Sequence, residues 1–97
     1  MVTRVKVNVT WLGKRAGLIP AGTRYSTVAK FAEDENSWTK EAWSILIEFD
    51  RSPAEQGNPS EGIARFLVDD APHQRLVPGV TFELYEGQSK VAKVEIC

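Results

Sequence analysis

The densest run of potentially reactive side chains is Asp69-Asp70-Ala71-Pro72-His73. A carboxylate beside an imidazole can orient it as a general base. Hydrolysis through Asp69, Asp70 and His73 would also need a nucleophile, and the chain has no Gly-x-Ser-x-Gly elbow. A solvated acidic turn is the simpler reading. Glu33-Asp34-Glu35 offers three carboxylates, but calcium sites space their oxygen ligands further apart. The single histidine and single cysteine, His73 and Cys97, stand 24 positions apart, which excludes a zinc site of the usual spacing. Gly13-Lys14 lacks both the preceding glycine and the following hydroxyl of a phosphate-binding loop. Neither catalysis nor a metal or other cofactor is expected.

Binding is the chemistry that remains. Net charge is −1, yet the charges are not evenly placed. Residues 1–32 carry Arg4, Lys6, Lys14, Arg15, Arg24 and Lys30 and no acid, whereas the rest carries all 13 acids. Lys14, Arg15, Arg24 and Lys30 are close in sequence to Trp11 and Tyr25. Cations that contact phosphate beside aromatics that stack on bases are how RNA surfaces are built. Alternation, however, puts Trp11 and Tyr25 on the apolar faces of their strands. Trp38 lies in an acidic loop, either as a lid on the domain or as an anchor for a partner.

The elements that must position these residues have a period of two. Val5, Val7, Val9 and Trp11 alternate with Arg4, Lys6, Asn8 and Thr10. The same pattern recurs around Tyr25–Phe31, Trp43–Phe49, Gly62–Val68, Val80–Tyr85 and Val91–Ile96, giving six strands and no helix. Loops are expected at 13–23, 33–41, 51–60 and 69–79, each punctuated by glycine, proline or acids, and a tight turn at Glu86-Gly87-Gln88-Ser89. The 51–60 loop, with Pro53, Gly57 and Pro59, is expected to hold nothing regular. Six short strands in 97 residues predict a single all-β domain over residues 1–97, an antiparallel-rich closed barrel. The start has no apolar secretion signal, no run is long enough to span a membrane, and one cysteine forms no internal disulfide. A cytoplasmic location is expected.

Two stretches resemble a known family. Gly13-Lys14-Arg15 followed by Gly22-Thr23-Arg24, and Gly79-Val80-Thr81-Phe82 followed by Glu86-Gly87, are similar to the third domain of elongation factor Tu and related translational GTPases. The resemblance implies a C-terminal-type six-stranded barrel, with Arg15 and Arg24 at the family's basic positions. In that family the barrel packs on a GTPase domain and touches transfer RNA. Thr81, Tyr85, Ala92 and Val94 replace family arginines and glycines, so the resemblance implies architecture before contacts.

The leading expectation is a stand-alone, non-catalytic barrel that binds another protein, with Lys14, Arg15, Arg24, Lys30 and Trp38 as candidate contact residues. The alternative is an RNA-binding module built on the basic N-terminal third. A third reading is a hydrolase using Asp69, Asp70 and His73.

Overall fold

Each alternating stretch becomes a strand in the computed structural model, which describes residues 3–34 and 42–97. The strands are β1 (Val5–Trp11), β2 (Arg24–Lys30), β3 (Trp43–Glu48), β4 (Ser60–Phe66), β5 (Thr81–Glu86) and β6 (Ser89–Ile96). They close into a barrel in the order β1-β4-β3-β2-β5-β6, every neighbouring pair antiparallel. Closure pairs strand backbones on both sides and leaves no free edge among the described strands. The expected all-β closed barrel is the architecture observed. No described helix is long and apolar enough to cross a membrane. Trp38 lies outside the described residues.

The period-two pattern decides which side chains fill the barrel. Val7, Val9 and Trp11 of β1, Ile45 and Ile47 of β3, and Val94 and Ile96 of β6 all point inward and are buried. Val91 breaks the rule. Alternation places it outside, yet it is fully buried. The register explains this: Leu84 pairs with Ala92 and Tyr85 with Lys90, so Val91 is the extra residue of a β-bulge. A bulge turns two successive side chains toward one face, and here both Val91 and Ala92 are buried. The β5–β6 hairpin turns through Gly87-Gln88. Gly87 has a φ of 63°, the left-handed value that two-residue hairpin turns require and that glycine adopts without strain.

The 51–60 stretch departs from expectation. It contains a single helical turn, α1 (Pro53–Gln56). Proline is compatible with the first helical position, where its missing N–H is not needed, and the Ser52 hydroxyl accepts the Glu55 amide at 3.3 Å. The same stretch then closes the end of β1. The Asn58 side chain accepts the Trp11 amide at 2.8 Å and donates to the Trp11 carbonyl at 3.0 Å. It thus takes the place of a strand partner where the β1–β4 ladder has run out at Val9–Ser60. Asn58→Asp keeps the acceptor and sets a second acceptor against the Trp11 carbonyl. A loss of about 1–3 kcal/mol is expected, read by urea unfolding, because a part-buried backbone group is left without its donor.

The shortest seam in the barrel lies between β2 and β5, paired over residues 28–30 and 83–85. Beyond those pairs side chains continue the closure. The Thr27 hydroxyl donates to the Tyr85 carbonyl, and the Tyr25 hydroxyl donates to the Glu86 carboxylate.

Candidate functional site

The loops open at the two ends of the barrel. The 12–23 and 49–59 loops and the Gly87 turn share one end, and residues 31–34, after β2, and the 67–80 loop, before β5, share the other. Of the candidate cations, the structure brings Lys14 and Arg15 together and keeps Arg24 and Lys30 apart. Gly13–Arg15 forms a 3-10 turn after β1. That turn aims both cations at Glu86, the last residue of β5: Lys14 Nζ lies 3.1 Å from Oε1 and Arg15 Nε 2.9 Å from Oε2. Tyr25 donates to the same Oε2. The Arg15 guanidinium also sits 5.7 Å from the centre of the Tyr25 ring, which in turn meets Trp11 edge-on at 5.1 Å.

Arg24 and Lys30 occupy opposite ends of β2, about 20 Å apart along a strand of this length. Arg24 pairs with Glu48 of β3 at 3.4 Å and remains largely exposed. Lys30 lies 5.9 Å from the centre of the Tyr85 ring. The four candidate cations are therefore spread over the barrel, each beside an acid or an aromatic face of the later strands.

Glu86 is the hub that sequence reasoning missed, because its position reads as part of a tight turn. Burial pushes its carboxyl upward, but the donors Tyr25, Arg15 and Lys14 outweigh burial and hold it down at about 2. Burial first, and the hydrogen bond to Glu86 second, push the Tyr25 phenol well above its ordinary value. The hydrogen bond to Glu86 likewise raises Arg15. Near neutrality Glu86 is ionised and Tyr25 protonated, so the cluster is a charge-assisted clamp with no proton to exchange. Glu86→Gln removes the charge while keeping the shape. A loss of about 1–3 kcal/mol is expected, since hydrogen bonds to charged groups are the stronger class. The sign of the pH effect follows from the depressed value. Glu86 contributes in full above its ordinary 4.5, and the contribution is lost as pH falls toward about 2. Urea unfolding of wild type and Glu86→Gln should therefore differ near neutrality and converge across that acid window.

The Asp69, Asp70 and His73 run gives a different geometry from a catalytic dyad. His73 opens a 3-10 turn (His73–Arg75), and its Nε2 lies 2.7 Å from the backbone carbonyl of Asp69, not from a carboxylate. A carbonyl can only accept, so Nε2 carries the proton. The other ring nitrogen, Nδ1, is buried without a partner among the described residues, and the ring packs edge-on against Phe66 at 5.8 Å. Neither nitrogen is presented to take a proton from a substrate. Asp34, one of the three adjacent acids at 33–35, is buried. It accepts the Phe31 amide at 2.9 Å and Arg75 Nη1 at 2.9 Å, joining the two loops at that end of the barrel. The acid-run signal hid it, because its partner stands 41 residues away.

An open cleft of about 530 Å³ runs between the start of β1 and the β3–β4 connection. Lys6, Arg51, Glu48, Asp50, Glu61 and Cys97 line it, a mixture of both signs, and Lys14, Arg15, Arg24 and Lys30 are not among its lining residues. Among the described residues no group of His, Cys, Asp or Glu is arranged to hold a metal ion.

Comparison with protein-family models, with curated proteins and with solved structures finds no match to this chain. Its function must be read from its own surface chemistry.

Proposed function

We propose that this chain is a non-catalytic β-barrel that binds another protein. The observation that carries the reading is the fate of the cations. Lys14 and Arg15 meet Glu86 and Arg24 meets Glu48, so phosphates would have to displace acids already in place. Aliphatic side chains, by contrast, stand open to solvent in the loops: Leu18, Leu67, Val68 and Val77. A rigid barrel carrying binding loops is a common division of labour. A closed barrel also has no strand edge to lend to a partner, so recognition falls to loops and outer faces. The two stretches that resemble the third domain of elongation factor Tu fit a docking role, which in that family takes in both a protein domain and transfer RNA.

The alternative is RNA binding through Lys14, Arg15, Arg24 and Lys30, and a two-part experiment separates them. Labelled single-stranded RNA is titrated at low and at physiological salt, and the purified protein is crosslinked in an extract of its native cell. The protein-binding reading expects a stoichiometric crosslinked protein and no saturable RNA binding. RNA affinity that falls steeply with salt and disappears in Arg24→Ala would replace it with the RNA reading.

A further inference from the structure

The loop between β4 and β5 presents four consecutive exposed residues, Leu67-Val68-Asp69-Asp70, and a fifth, Val77, as it returns. Leu67 and Val68 are each 45% exposed and Val77 46%. The backbone beneath them is fixed. Ala71 donates to the Val68 carbonyl at 3.1 Å, His73 to Ala71 at 2.8 Å and Leu76 to His73 at 3.1 Å. Ala71 and Leu76 are buried in the barrel core, and Arg75 is bound to Asp34. Side chains offered by a pre-ordered loop lose little freedom on binding, which favours affinity.

The charges on this loop are uncompensated in one direction. Its cation, Arg75, turns inward to Asp34, while no cation of the described residues lies within ion-pair distance of Asp69 or Asp70. What faces solvent is an aliphatic pair followed at once by two carboxylates. We infer that this loop docks a basic polypeptide segment of the partner, one in which lysine or arginine flanks aliphatic side chains. The aliphatic groups would cover Leu67, Val68 and Val77, and the cations would meet Asp69 and Asp70. Complementary charge around an apolar contact sets both the rate and the specificity of such encounters. The inference rests on the protein-binding reading and names the face and the chemistry of the partner.

The test uses the whole chain and two synthetic peptides, one alternating arginine with leucine and one alternating glutamate with leucine. Backbone amide shifts are followed by NMR. The arginine peptide is expected to move the amides of residues 67–80, and the glutamate peptide to move none. Asp69→Asn with Asp70→Asn, and separately Leu67→Ser with Val68→Ser, should each weaken binding by roughly tenfold, as loss of a central contact does. All four positions are exposed, so these variants should fold as the wild type does. Shifts that map to another face, or arginine-peptide affinity unchanged in Asp69→Asn with Asp70→Asn, would overturn the inference. The crosslinked partner separates the two claims. If it is captured equally by both double variants, the face is wrong while protein binding stands. If no partner is captured from the native extract, the protein-binding reading itself fails.

Discussion

Replacing Gly62 by valine should unfold the barrel or leave it only marginally stable. Gly62 lies on the inner face of β4, opposite Val7 of β1. A Cβ added there would stand 2.8 Å from Ile47 Cγ2, 2.9 Å from the Glu48 carbonyl oxygen and 2.9 Å from Phe49 Cδ1. Two of those atoms belong to core side chains and the third to strand backbone, so none can swing away into solvent. The three neighbours sit on β3 and the residue after it, and relief would require β3 and β4 to move apart. Alanine alone forces that shift, and valine adds two methyls to it. Overpacking of this kind costs about 1–3 kcal/mol and more where backbone must move. Gly62→Ala is expected near the lower end of that range and Gly62→Val beyond it. The check is the urea midpoint of each variant, with the order glycine, alanine, valine required.

The second large effect belongs to Trp11. Its ring is buried to within 1% of full exclusion, and its indole N–H donates to Ser60 Oγ at 3.2 Å. Ser60 in turn donates to the Gly57 carbonyl at 2.6 Å. One face of Trp11 meets Tyr25, and its backbone is held by Asn58. Trp11→Ala therefore empties the end of the core and removes the support on which Tyr25 reaches Glu86. A loss of about 3–5 kcal/mol is expected, a large share of a small domain's stability of roughly 5–15 kcal/mol. Trp11→Phe keeps part of the ring volume and should fall between wild type and alanine. A phenylalanine variant no better than alanine would mean that the indole hydrogen bond, rather than core filling, governs this position.

These two residues also show what can be read from the chain alone. Trp11 is legible, because strict alternation from Val5 onward assigns it to the apolar face. The six strands and the barrel follow from the same period. Gly62 is not legible, since nothing in its neighbourhood says that Ile47 and Phe49 will crowd it from another strand. The contacts of the candidate site were hidden for the same reason. Arg15 and Glu86 are separated by 71 residues, and Asp34 and Arg75 by 41. Local composition reads each as a surface charge, and only strand order brings them together. The basic third of the chain looks like one patch in sequence. It is divided because β2 runs the length of the barrel and carries Arg24 and Lys30 to its two ends. The burial of Val91 is not legible either, because a period of two does not anticipate a bulge.

The short β2–β5 seam has a consequence for how the molecule fails. Strands that close a ring shield one another's amides, and the seam with fewest backbone pairs is where that shielding gives way first. If the three β2–β5 pairs part together with the Thr27–Tyr85 and Tyr25–Glu86 contacts, the ring becomes an open sheet whose outer strands are β2 and β5, each with a row of unpaired donors and acceptors. A molecule that had no borders would then have two, both complementary to those of another copy in the same state. Acid that protonates Glu86 removes one tie across that seam and so lowers the cost of exposing those two borders.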